Sequence, residues 1–106
     1  MSDFTRDAQL FKALADEKRL LILDYLKNGE TCACVLIDVL GIAQSALSYH
    51  MKILCQSGIV SSRQDGKWKH YRLSESGADE LLERLKVITD SKGEPANACP
   101  CLQKSS

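Results

Sequence analysis

The sequence predicts a mainly α-helical domain carrying one β-hairpin. Three observations lead there. Residues 4–57 read as four helical stretches, each closed by a capping or turn signal. The period then changes to two short extended runs, residues 59–64 and 67–73, around the turn pair Asp65-Gly66. A last helical stretch follows, with Leu81, Leu82, Leu85 and Ile88 on one side. Two helices joined by a short turn containing Gly and followed at once by a hairpin make a winged helix-turn-helix.

Each element has its own warrant. Ala8, Phe11, Leu14 and Ala15 recur at helical spacing, with Phe4 before them, and predict a first amphipathic helix. Asp16 is a good N-cap for a second helix. There Leu20, Leu21, Ile22, Leu23 and Leu26 form a broad apolar stripe, and Asn28-Gly29 ends it. A short third helix is expected from Cys32 to Leu40, stopped by Gly41. A fourth runs from Gln44 to Ser57, stopped by Gly58, with Leu47, Met51 and Leu54 facing the core. In the second hairpin strand Tyr71 and Leu73 share one face and are expected to pack on the body. Trp68 and His70 share the other, and Trp68 is assigned to the scaffold. Ser74 caps the last helix.

Length and composition set bounds. A chain of 106 residues is one small domain with a modest core, a size often reinforced by oligomerisation. Residues 1–91 form this domain. From Ser91 the chain becomes rich in Gly, Pro and Ser, so residues 92–106 read as a tail, which contains Cys99-Pro100-Cys101. No stretch approaches the roughly 18 apolar residues of a membrane span, and the N-terminus lacks signal-peptide features. A cytoplasmic location is expected. There five cysteines, an odd number, serve as ligands or redox groups rather than structural disulfides. The formal net charge is zero. Residues 43–73, however, hold Lys52, Arg63, Lys67, Lys69 and Arg72 against the single acid Asp65. A basic zone on a neutral protein is a binding footprint, not a general polycation.

The fourth helix has the polar N-terminal end of a DNA-recognition helix. Such helices place their first side chains against base edges. Gln44, Ser45, Ser48 and Tyr49 lie there; a Gln amide can pair with adenine N6 and N7, while Ser is less selective. His50 and Lys52 are expected on phosphate, which positions the helix without reading sequence. Arg63, Lys67 and Lys69 cluster near the hairpin turn, within reach of phosphates beside the groove. The partner implied is double-stranded operator DNA, bound by a homodimer. Leu81, Leu85 and Ile88 supply the dimer stripe, with Phe4 and Phe11 as its mate.

Local motifs agree with this order of elements. Phe11-Lys12-Ala13-Leu14-Ala15-Asp16 with Arg19-Leu20, Glu30-Thr31-Cys32-Ala33-Cys34, Gln44 through His50, and Gly66 through Leu73 together resemble the winged-helix arsenic-repressor (ArsR/SmtB-type) metalloregulators. The resemblance covers residues 4–90. It departs at two places. Ile37 stands where arsenic repressors of the best-known type carry a third cysteine, and Ser45 replaces a common Pro. What the resemblance implies is a repressor that releases DNA on binding As(III) or Sb(III).

Thiolates select soft or borderline ions, and Cys32 and Cys34 are the first candidates. Two residues apart on a regular helix, they project about 200° from each other, so joint ligation requires an unwound helix start. A third thiolate is to be found among Cys55, Cys99 and Cys101. Cys55 lies on the core face, where free cysteine is commonly buried and inert. Cys99 and Cys101 either complete the site or form a separate pair. Zinc is disfavoured, because no His lies near the C-x-C or on the last helix. Cd(II) or Pb(II) sensing and thiol redox sensing remain open. Enzymatic thiol chemistry lacks a βαβ context and a recognisable base.

Overall fold

The computed structural model describes residues 4–91. In chain order these form α1 (Thr5–Leu14), α2 (Glu17–Leu26), β1 (Thr31–Cys32), α3 (Ala33–Leu40), α4 (Gln44–Ser57), β2 (Val60–Asp65), β3 (Trp68–Leu73) and α5 (Glu75–Ile88). The winged helix-turn-helix expected from the sequence is present. Its boundaries follow local chemistry. The Asp16 carboxylate accepts from the Arg19 amide at the start of α2, and the Ser74 hydroxyl accepts from the Gly77 amide at the start of α5. Gly41 and Gly58 end α3 and α4 in the left-handed conformation, at φ 63° and 85°.

Three expectations need correction. First, Cys32 is not helical: it belongs to β1 and caps α3 from outside, at φ −68° and ψ 142°. β1 pairs antiparallel with β3, Thr31 opposite Tyr71 and Cys32 opposite His70, giving the sheet order β1-β3-β2. Second, the hairpin turn is Gly66-Lys67, because Asp65 already pairs with Trp68. Gly66 takes φ 62°, so the residue that tolerates a positive φ occupies the first turn position. Third, the apolar stripes of the first two helices are rotated. α1 buries Asp7, Leu10 and Ala13, leaves Ala8 and Ala15 exposed and Phe11 half-buried. α2 buries Arg19, Ile22 and Leu26, while Leu20 and Leu21 are exposed.

The core joins all layers. Ala13, Ile22, Leu26, Leu36, Leu47, Met51, Leu54, Val60 and Tyr71 form one buried cluster, with Trp68 and Leu81 packed on its edge. Leu73, expected beside Tyr71, is more than a third exposed. Side chains of α1 tie the helices together at their polar edges. Arg6 donates to the carbonyls of Gln56 and Ser57 at the end of α4 and pairs with Glu80 of α5 at 3.3 Å. A cation there complements the negative end of the helix dipole. Arg84 of α5 clasps buried Asp7 through two bonds of 2.7 and 2.9 Å. Among the described residues no single helix is long and apolar enough to cross a membrane. α3 and α4 together have the length and composition, but they bend by 115° at the turn between them.

Candidate nucleic-acid interface and thiol site

α4 is the element with two faces. Leu47, Met51 and Leu54 are buried, which turns Gln44, Ser45, Ser48, Tyr49 and Lys52 outward. The 3.6-residue period alone produces this separation. The wing folds back beside the helix and leaves a groove of about 540 Å³ between them. Gln44, Ser48 and Lys52 line it from α4, and Lys67, Trp68 and Lys69 from the wing. No carboxylate pairs with Lys52, Lys67 or Lys69 among the described residues. Three ammonium groups thus flank polar, exposed side chains. Gln56 and Gln64 also line the groove, and nothing in their spacing marked them out.

Two candidates are engaged elsewhere. Arg63 donates to Glu30 at 2.5 Å and lies 3.8 Å from Asp65, so its charge is largely spent within the protein. The Arg63 hydrogen bond holds the Glu30 carboxyl below the usual carboxylate range. His50 is half-buried, with Nδ1 3.1 Å from Nη1 of Arg19. The contact uses Nδ1 and leaves Nε2 for the expected phosphate. Arg19 entered the sequence reading only as part of a family motif and was given no role, because a charged residue in an apolar stretch reads as solvent-facing until its partners are known.

The two thiols of the C-x-C meet. Cys34 Sγ lies 2.7 Å from Cys32 Sγ and donates to it, and the Cys34 amide adds a bond of 3.4 Å to the same sulfur. The hydrogen bond from Cys34 lowers the pKa of Cys32, with help from the Cys34 and Val35 amides at the start of α3. The same bond raises the pKa of Cys34. Of the two thiols Cys32 is therefore the one that ionises more readily. The predicted 200° separation does not arise, since the helix begins after Cys32. No unwinding is needed to bring the sulfurs together.

Cys55 is not part of that pair. It is half-buried in the groove, and burial pushes its thiol pKa up. Among the described residues no group of three His, Cys, Asp or Glu side chains is placed to hold a metal ion. His70 stands across the ladder from Cys32, which corrects the expectation that no His lies near the C-x-C, and its Nε2 lies 3.9 Å from Asp65. Cys99 and Cys101 fall outside the described residues.

Comparison with known proteins agrees with this geometry. Residues 16–62 match the arsR family of bacterial regulatory proteins. The chain is 42% identical over 88 residues to the arsenical resistance operon repressor of Bacillus subtilis strain 168, covering 81% of this chain and 84% of that one. It is 39% identical to the repressor of the same name from Staphylococcus aureus, over 77% of this chain and 79% of the other. Among solved structures, the homodimeric winged helix-turn-helix DNA-binding domain from Mycobacterium bovis superposes with a TM-score of 0.67 at 27% identity. That match covers 93% of this chain and 96% of the other.

Proposed function

This chain belongs to the arsR family of bacterial regulatory proteins, and on that premise we propose that it is a metalloid-responsive repressor. It binds operator DNA as a homodimer in the cytoplasm and leaves the operator when cysteine thiolates take up As(III) or Sb(III). The observation that carries the reading is the meeting of Cys32 and Cys34 at 2.7 Å, on the junction between the sheet and α3. Arsenical resistance repressors among its relatives support the choice of inducer.

The donor set fits a soft trivalent ion in part. Two sulfurs lie side by side, and the pKa of Cys32 is lowered toward the thiolate, the form that ligates. A pyramidal three-thiolate site needs one more, and Cys99 or Cys101, from the same subunit or its partner, is the proposed source. The junction explains how ligation reaches DNA. β1 is hydrogen-bonded to β3 of the wing, and α3 packs against α4. An ion that draws a third thiolate onto Cys32 and Cys34 therefore bears on both DNA-facing elements at once. That gives free and DNA-bound conformations a different affinity for the ion, as a ligand-driven switch requires.

In the DNA complex Gln44, Ser45, Ser48 and Tyr49 read base edges. Lys52, Lys67 and Lys69 neutralise phosphates, and His50 supplies a further backbone contact. Exposed Leu82, Leu85, Val87 and Ile88 on α5, at 41–58% exposure, and Phe4 at 57%, form the dimer face. The assignment is to a DNA-binding regulator and not to an enzyme.

A redox reading has one observation in its favour: two thiols in contact can be oxidised to a disulfide by an external oxidant such as peroxide. Operator release titrated in parallel with As(III), Sb(III), Cd(II), Pb(II), Zn(II) and peroxide separates the classes. Release by As(III) or Sb(III) under reducing conditions, with Zn(II) inert, supports the proposal. Release by peroxide alone replaces it with redox sensing, and release by Cd(II) or Pb(II) alone replaces the metalloid.

A further inference from the structure

Arg19 is a buried cation held from three sides. It is 6% exposed. Its Nε donates to the Ala13 carbonyl at 2.8 Å and its Nη2 to the Lys12 carbonyl at 3.2 Å, both at the end of α1. Asp16, whose carboxylate caps α2, stands 3.9 Å from Nη1 and balances the charge. That same Nη1 lies 3.1 Å from Nδ1 of His50 on the DNA-facing helix. A guanidinium has only donors and keeps its proton in proteins. The imidazole nitrogen facing it must accept, so Nδ1 carries no proton while the contact stands. The ring proton of the neutral imidazole then sits on Nε2, directed away from the guanidinium.

We propose that Arg19 is a positioning residue for DNA binding: it locks the rotamer and tautomer of His50, so that Nε2–H offers one uncharged hydrogen bond to the DNA backbone. The proposal rests on the DNA-binding reading above and assigns a role to a side chain that touches no DNA. The anchoring of the guanidinium to two carbonyls gives it its precision, because Nη1 is fixed before the histidine arrives. A neutral donor also leaves a distinct trace in solution. It contributes a hydrogen bond but releases no counterion, unlike a lysine contact.

The test combines imidazole 15N spectra of the full chain with operator binding. The chain has two histidines, and His70→Gln assigns the signals. The parent should show the Nε2–H tautomer of His50 at neutral pH, and Arg19→Gln should lose that single-tautomer signature. Arg19→Gln and His50→Ala should each weaken operator binding about thirtyfold, the worth of one hydrogen bond in each subunit of the dimer. Together they should weaken it no further, and the salt slope should keep its parental value. Arg19→Lys, which keeps the charge but loses the fixed fork that holds Nη1 in place, repeats the cycle if Arg19→Gln does not fold. An Nδ1–H or doubly protonated His50 in the parent overturns the proposal. So do losses that multiply in the double variant, or a salt slope reduced by about 1.8, the mark of a cationic contact in each subunit. If the parent binds no operator at all, the DNA reading fails and the positioning role with it, while the spectra still judge the Arg19–His50 contact by itself.

Discussion

Replacing Gly77 by Ala should unseat α5 from the end of α4. A Cβ built at Gly77 lies 1.8 Å from the Gly58 carbonyl oxygen, 2.6 Å from its carbon and 3.0 Å from Ile59 Cα. All three are backbone atoms, so no side chain can turn aside. The helix must retreat by about 1.6 Å to reach ordinary contact, an over-packing strain at the upper end of the usual range, about 3 kcal/mol. Alanine returns about 1 kcal/mol through its better helix propensity, which leaves a net loss of about 2 kcal/mol. For a domain of this size that is a fall of roughly 8 °C in the melting midpoint. Calorimetry or circular dichroism at matched protein concentration reads it; matching matters because dimer stability depends on concentration. Operator affinity should fall as well, since Arg6 and Glu80 link α5 to the C-terminal end of α4 across the same contact. A variant that melts at or above the parental midpoint would refute the close approach of α5 to α4 as described.

Three further outcomes are expected. Leu85→Arg should yield a monomer at micromolar concentration by sedimentation, with operator affinity lost, and a surviving dimer would remove α5 from the interface. Lys67→Ala and Lys69→Ala should each lower the salt slope of DNA binding by about 1.8, one phosphate contact in each subunit, whereas Arg63→Ala, whose partner is Glu30, should lower it less. Equal slopes for the three variants would mean that Arg63 leaves Glu30 for phosphate. Cys34→Ala removes the donor that depresses the Cys32 pKa, so the folded-state value should rise toward that of an ordinary thiol and the thiolate fraction at pH 7 should fall. Alkylation of Cys32 by iodoacetamide at pH 7 should slow accordingly, and an unchanged rate would deny that Cys34 lowers the Cys32 pKa.

Much of the fold was legible because its signals are local. α4 runs from Gln44 to Ser57 as read, since Gly58 can take φ 85° and the apolar residues recur at 3.6. Asp16 and Ser74 cap their helices through neighbours three residues away. What escaped was long-range. A two-residue strand has no periodicity, so β1 emerged only from its pairing with β3, and with it the true geometry of Cys32. The turn slipped by one residue because Asp65-Gly66 and Gly66-Lys67 are told apart by register and not by composition. Leu20 and Leu21 promised burial, yet α2 turns Arg19, Ile22 and Leu26 inward, because Arg19 has carbonyls of α1 to satisfy there.

The candidate site divides in the same way. The outward polar row on α4 and the wing lysines follow from period and charge, and the structure gathers them around one groove. His50 and Arg63 were read only as phosphate contacts, because their intramolecular partners, Arg19 and Glu30, lie 31 and 33 residues away in sequence. The C-x-C was recognised as a soft-ion site, but its two sulfurs were expected to diverge. The strand-to-helix junction at Cys32 brings them together instead.

The central claim is that Cys32 and Cys34 bind the inducer and that this releases DNA. Anisotropy titration of an operator duplex with As(III), under reducing conditions, tests it on Cys32→Ser, Cys34→Ser and the double variant Cys99→Ser, Cys101→Ser. Hydroxyl oxygen is a poor ligand for a soft ion and is close in size to the thiol, so operator affinity should be retained. Both single variants should stay bound at As(III) concentrations that free the parent. Release that persists in Cys32→Ser but vanishes in the tail double variant would place the site in the tail and contradict the account.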